Sequence, residues 1–426
     1  PFTEEQLAGF IQRQIVETGQ ATKTVAQLLK TILHDSTIVY VKAGIVSQFR
    51  TRFDLPKSRK ANDFHHAQDA YLNIVAGNIY HVKFTNNTRN FIKEYQKDPQ
   101  NTKYHMDKVF DFSVERNGEI AWDRTSERTM FQTVLQTVYK TTPILTRMCV
   151  EGKGQLYNAT LYGKAAIQKS KSAESSYFPL KTSDTRLQDM AKYGGFTSIT
   201  GAYFFLVEHE VKGKKIRTLE TVPLYLKAQV EADNNALQAY CENQLKLCNP
   251  NIRIPKIKLQ SLVKINGYFG YISGRTGNQI RLRNAVSLCL SKDCIKYIKK
   301  LENIEQKGYA ESIITAEKNI QLYQILLEKH QTTIFAKRPN PVGEKLANGF
   351  EKFCTLSVPD QCNVLLQILQ LSAPGVATSA NLQAIGESAN TGIMLINKKI
   401  TDFEECILIH QSPTGLFERR VDLLRI

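Results

Sequence analysis

The chain has no CxxC pair, no G-x-G-x-x-G or Walker A loop, and no apolar run approaching the ~20 residues that cross a bilayer. Each absence closes off a class of function. Without a Gly-rich phosphate loop, nucleotide binding is not suggested. The eight cysteines, at 149, 241, 248, 289, 294, 354, 362 and 406, have no His in zinc-ligand spacing. They read as reduced, mostly packed thiols of a cytoplasmic protein, and no structural zinc is expected. No membrane partner and no signal peptide are indicated. Pro1 is not an initiator Met, so the chain is expected to begin inside a longer protein.

What the chain has in excess is positive charge, with 56 Lys and Arg against 40 Asp and Glu, a formal charge of +16. That is more than solubility requires, and it points to a polyanionic partner. The excess is spread along the sequence, which fits a long groove better than a flexible arm. At 426 residues, 42% of them hydrophobic, roughly two to four ordinary cores are expected.

Residues 3–35 carry Phe10, Ile11, Ile15, Val16, Val25, Leu28, Leu29, Ile32 and Leu33 at helical spacing, with Gly19 as a break. The β-branched run 37–42 predicts a short buried strand and, with the helix after it, an α/β unit. Asn117-Gly118 between two apolar runs predicts a hairpin. Residues 129–150 offer a helix and then a strand. Further on, hairpins are expected at 262–268 and 269–282, long amphipathic helices over 286–336 and a shorter helical group through Leu371. Strands are expected at 392–399, 406–410 and 420–424.

The most telling stretch is 61–72. Wound as a helix, it places His65, His66, Asp69 and Asn73 in one sector and Phe64, Ala67, Ala70, Tyr71, Ile74 and Val75 in the opposite, apolar one. Imidazole and carboxylate groups on one rigid face can bind a hard cation or move a proton, as metal-assisted hydrolysis requires. A solvated polar face would carry the same pattern, because HxxD alone is a weak signal. Just upstream, Lys42, Arg50, Arg52, Lys57, Arg59 and Lys60 form a basic approach that attracts phosphate.

Five blocks then occur in order: FIQRQIVET at 10–18, HHAQDAYL at 65–72, GEIAWD at 118–123, KYGGF at 192–196 and IHQSPTGLF at 409–417. Together they resemble, over essentially the whole chain, the C-terminal part of the type II CRISPR-associated RNA-guided DNA endonuclease in its larger II-A form. The resemblance implies an α/β and α+β multidomain architecture. Residues 1–150 would hold the linker leaving the HNH nuclease domain and the third segment of the RNase H-like RuvC nuclease. Residues 151–260 would form a phosphate-lock and topoisomerase-homology or wedge-like part. Residues 261–426 would form a mixed β-hairpin and helical domain that reads the protospacer-adjacent motif (PAM).

The same resemblance implies a DNA endonuclease of antiviral defence in the bacterial cytoplasm. Its partners would be guide RNA (crRNA:tracrRNA or a single guide), target DNA bearing a PAM, and the remaining segments of the same protein. An anti-CRISPR protein is a further candidate partner. In the family the HHAxDA aspartate is a Mg²⁺ (or Mn²⁺) ligand and the second histidine acts beside it, which falls on Asp69 and His66, with His65 behind them. Mg²⁺ prefers carboxylate oxygens, and an ordinary imidazole, with a pKa near ~6.5, can take a proton from water at neutral pH. Two ions need several carboxylates, and the family's others belong to two earlier RuvC segments. The chain alone is therefore expected to bind but not to cleave. A stand-alone RNase H-like nuclease would need more acidic ligands within this chain, and a non-catalytic binding module would need none.

Relatives grip one phosphate beside the motif with a loop that falls on Tyr157, Asn158 and Ala159; they carry Lys-Glu-Ser there, so backbone donors would do more of the work here. Thr197 and Ser198 match contacts to the backbone of the PAM duplex. The two guanine-reading arginines of some relatives fall on Met394 and Ile396, so a GG motif is not expected. Asn397, Lys398 and Lys399 are the polar candidates, Met394 and Ile396 could touch a thymine methyl, and Arg275 or Arg420 could read from elsewhere.

Overall fold

The computed structural model describes residues 19–39, 41, 43–81, 110–111, 113–116, 118–123, 130–140, 146–156, 161–162, 178–179, 188–196, 199–233, 235–276, 279–302, 313–336, 342–373, 379–388 and 390–426. They fall into two units, one of Pro1–Lys57 and Phe64–Pro143, the other of Ser58–Asp63 and Ile144–Ile426. No helix among the described residues is long and apolar enough to cross a membrane.

In the first unit, α1 (residues 19–32) is followed by α2 (Ala43–Arg52), α3 (Phe64–Tyr80), a hairpin of β1 (Val114–Arg116) and β2 (Glu119–Trp122), and α4 (Met130–Lys140). Ile45, Phe49, Leu72, Ala76, Ile79 and Trp122 form the centre of its core. Trp122, the chain's one tryptophan, is fully buried and donates its indole N–H to the Phe110 carbonyl at 3.0 Å. Its ring lies edge-on to those of Phe49 and Phe110 at 5.6 and 5.9 Å, an arrangement in which ring edges meet ring faces.

Two expectations change in this unit. Of the 37–42 run, where a strand is expected, residues 37–39 and 41 make no ladder among the described residues. β-branching alone does not create a strand; the backbone needs a neighbour to bond to. The run packs on α3 instead, so closely that a Cβ at Gly77 would lie 2.7 Å from Val41 Cγ2. That packing turns the helix. His65, Leu72, Val75, Ala76 and Ile79 face inward, whereas Ala67 and Ala70 are exposed and Ile74 keeps 64% of its surface in solvent. Along α1, Val25, Leu28, Leu29, Ile32 and Leu33 are likewise exposed.

The second unit holds two sheets and a helical group. β3 (Gly201–Val211), β4 (Lys214–Pro223) and β5 (Cys248–Ile257) form an antiparallel sheet with β3 in the middle. The run Ala202–Val207 is buried without alternation, as a strand covered on both faces must be. Phe204 and Leu206 enter one core; Tyr203, Phe205 and Val207 enter another with α5 (Ala236–Asn243).

The larger sheet comprises β6 (Leu262–Ile265), β7 (Tyr268–Thr276), β8 (Gln279–Asn284), β9 (Ile393–Asn397), β10 (Cys406–Gln411) and β11 (Glu418–Asp422), all antiparallel in the order β9-β8-β7-β6-β10-β11. The turn between β6 and β7 is Asn266-Gly267, with φ of 47° and 89°, the left-handed pair that a tight hairpin demands. The hairpin therefore turns at 266–267, and β7 starts at Tyr268 instead of ending the first pair there. Helices α6 (Lys292–Glu302), α7 (Ala316–His330) and α8 (Val358–Ser372) share a core around Tyr323, Leu326, Leu365 and Ile368. The Ser357 hydroxyl caps α8 by accepting from the Asp360 N–H. Of the strand expected at the end of 129–150, the described residues 146–150 make one bridge, between Val150 and Leu259.

Next to that bridge, Gly152 donates its N–H to the Ala202 carbonyl at 2.7 Å. A Cβ on Gly152 would overlap the Gly201 carbonyl oxygen, which is backbone and cannot swing away. Gly152→Ala should lower stability by about 1–3 kcal/mol, read as a fall in the thermal midpoint; an unchanged midpoint would show that the two backbones have room to separate.

Candidate active site and nucleic-acid interface

Asp69 stands on the second turn of α3, at the rim of its buried face. Both carboxylate oxygens are occupied. Arg50, at the end of α2, places Nε 2.6 Å from Oδ1, and Lys57, in the connection to α3, places Nζ 2.5 Å from Oδ2. The guanidinium is fixed in turn by the Leu55 carbonyl at 3.3 Å and Gln68 Oε1 at 3.4 Å, and Arg50 is itself buried. Burial by itself would raise the Asp69 carboxyl. Hydrogen bonds from Lys57 and Arg50, and their charges, outweigh it and hold the group below its ordinary 3.8.

His66 is exposed, His65 is buried, and their rings lie 4.2 Å apart. The local sequence explains the split, since His65 falls on the stripe of Leu72, Ala76 and Ile79 and His66 falls one position off it. Among the described residues no three His, Cys, Asp or Glu side chains gather as a metal would require. One carboxylate with both oxygens taken does not fit a pair of octahedral ions.

Of the interface residues expected in the second unit, Tyr157, Asn158, Ala159, Thr197 and Ser198 lie outside the described residues. The stem leading to position 157 is described. Thr200 donates its N–H to the Leu156 carbonyl at 2.8 Å and its hydroxyl to the Gln155 carbonyl at 2.6 Å. Glu151, at the foot of the stem, pairs with Lys227 at 2.5 Å and Lys256 at 3.0 Å. Those hydrogen bonds, Lys227 first, overcome burial and bring its carboxyl down to about 2.

The candidate readers at the end of β9 divide sharply. Ile396 is buried in the core with Ile280, Leu282 and Leu408, and Met394 packs partly buried against both that core and the helical one. The period-two alternation of a strand puts both on its inner side, so Ile396 is withdrawn from any base contact and Met394 largely so. Lys398 is bound to the buried Glu220 at 2.8 Å, and Lys399 to Asp402 at 2.6 Å. Asn397 is exposed, with Oδ1 accepting the Lys399 N–H at 3.1 Å. Of the alternatives, Arg420 is exposed and paired with Glu418 at 3.1 Å.

The first unit carries a clamped carboxylate beside a basic connection and the second carries two antiparallel sheets, and known families cover both. The Cas9 RuvC domain matches residues 19–147, and the PAM-interacting domain of CRISPR-associated endonuclease Cas9 matches residues 153–419. The chain belongs to the Cas9 family. It is 28% identical over 467 aligned residues to the CRISPR-associated endonuclease Cas9 of Streptococcus mutans serotype c, an alignment covering all of this chain and 32% of that protein. It is 32% identical over 237 residues to the Cas9 of Listeria innocua serovar 6a, covering 50% of this chain and 17% of the relative. The chain thus spans about a third of the length of the curated relative that it matches from end to end.

Asp69→Ala should do more than remove a carboxylate, because it leaves Arg50 buried without its anion. A loss of about 1–3 kcal/mol in the first unit is expected, seen as an earlier denaturant midpoint in Trp122 fluorescence, and Asp69→Ala combined with Arg50→Leu should recover part of it. Equal midpoints for wild type and Asp69→Ala would contradict the clamp.

The lowered carboxyls also fix a pH window. Stability from the Glu151 pairs is fully present above its ordinary 4.5 and is lost as pH falls toward about 2. Glu151→Gln should flatten that acid limb in thermal unfolding; an unaltered limb would place the acid sensitivity elsewhere.

Proposed function

We propose that this chain is the part of an RNA-guided DNA endonuclease that supplies one RuvC carboxylate and the surface that meets guide RNA and the PAM duplex. The carrying observation is Asp69, in the HHAxDA motif of the RuvC-matched region, with both oxygens held by Arg50 and Lys57. Two cations stand where a metal ligand of the family falls, so the carboxylate is kept charged and in place while further acidic groups are lacking. His66, exposed one turn before Asp69, is the proton-accepting group, and His65 packs behind it. This chain's contribution is to hold Asp69 charged and oriented and to attract the strand through its basic connection. An RNase H-like assembly completed by the remaining segments would also cover the exposed faces of α3 and α1.

The chain alone, incubated with Mg²⁺ and single- or double-stranded DNA, should give no product. Cleavage should appear when the remaining polypeptide and a guide RNA are added, and should vanish with Asp69→Ala. Metal-dependent cutting by the chain alone, abolished by Asp69→Ala, would refute the reading in favour of a self-sufficient nuclease. Salt-sensitive RNA and DNA binding with no cleavage after reconstitution would favour a binding module.

For the motif, the exposure of Asn397 supports it as a reader with adenine as its natural partner, and Arg275 and Arg420 stay as alternatives. A depletion assay on a randomised flank should show no GG preference in the complete enzyme, and Asn397→Ala should relax one position. A clean GG preference would overturn this assignment.

A further inference from the structure

β8 runs Gln279-Ile-Arg-Leu-Arg-Asn284, and its alternation separates two faces. Ile280, Leu282 and Asn284 are buried on the core side, which leaves Arg281 and Arg283 together on the other. Across the strand pair, Arg283 stands opposite Tyr271 and Arg281 opposite Gly274. Tyr271 belongs to a small apolar strip on this second face with Leu262 and Ile409. Arg147, from the segment before Val150, lies over the Tyr271 ring at 5.5 Å.

Arg147 thus lies on Tyr271, Arg283 stands across the ladder from it, and Arg281 follows two residues along the same face. The Arg281 guanidinium lies against the backbone at Gly274, where a Cβ would sit 2.6 Å from Nη2 and 3.3 Å from Cζ. Its Nε is buried and has no hydrogen-bond partner, and it has no carboxylate partner among the described residues. Burial first, and then the charges of Arg281 and Arg147, push the Arg283 guanidinium below its ordinary value, as like charges held close must.

We propose that Arg147, Arg281 and Arg283 form a site for consecutive phosphates of a nucleic-acid backbone, on the face of the six-stranded sheet that carries Tyr271. Planar guanidinium forks match phosphate oxygens in pairs, and like charges gathered on one sheet face attract a polyanion. The proposal rests on the nucleic-acid reading above, and the source of the phosphates is either guide RNA or target DNA.

The test uses the chain itself with two probes, a 20-bp duplex DNA of random sequence and a 30-nucleotide RNA hairpin, titrated over a range of salt. The variant is Arg281→Gln with Arg283→Gln; a charge-matched control is Lys299→Gln with Lys300→Gln, on the exposed end of α6. For the arginine variant, the slope of log affinity against log salt should become shallower by about 1–2 for at least one probe, while the control changes it less. Loss on RNA alone assigns the site to the guide, and loss on duplex alone assigns it to the target.

An unchanged slope on both probes while wild type binds overturns the phosphate site and leaves the general reading intact. Wild-type chain binding neither probe sinks both. Should the glutamine variant unfold, Arg281→Lys with Arg283→Lys decides instead: retained slope with at least threefold weaker affinity supports the forks, and unaltered affinity overturns them.

Discussion

A chain with sixteen positive charges in excess has to sort its cations as it folds, some neutralised against carboxylates and others left facing water. That sorting organises much of what is seen here. Asp69, Glu151, Glu208, Glu220 and Glu405 each take one or more cations at short range. Several of these carboxylates bind two cations at once, so a minority of acidic groups pins the positions of a larger number of basic ones. Paired at partly buried sites, such groups contribute more to geometry than to net stability.

The helix bearing HHAQDAYL was legible from spacing, and so was the hairpin at Gly118, because both signals are local. Its buried side was not. Helical periodicity predicts two faces but not which of them meets the rest of the protein, and here the packing of Val39 and Val41 on Gly77 decides. The basic approach was visible as composition, but that Arg50, nineteen residues from Asp69, would grip its carboxylate was not, because no sequence rule joins a helix end to the second turn of the next helix. The family resemblance, by contrast, was carried by five short ordered blocks and needed no geometry.

At β9 the same difference works in reverse. Counting from a motif placed Met394 and Ile396 at reader positions, but a strand has two sides, and only the sheet order β9-β8-β7 shows which is covered. The alternation Ile280-Arg281-Leu282-Arg283 was available in the sequence as a two-sided strand with a basic face. What was not available was Arg147, brought onto the same tyrosine from 124 or more residues away in the chain, a proximity that only the folded sheet creates.

The end of β9 has an evolutionary consequence. Thr218 bridges to Lys399 and the Leu219 N–H bonds the Lys398 carbonyl at 2.9 Å, so the segment is stitched to the neighbouring three-stranded sheet while Lys398 neutralises a carboxylate with only 5% of its side chain in solvent. A lineage drifting toward another lysine-free sequence here would strand Glu220 as a lone interior anion, a costly intermediate. Positions 220 and 398 should therefore change together among relatives, whereas exposed neighbours such as Asn397 are free to vary.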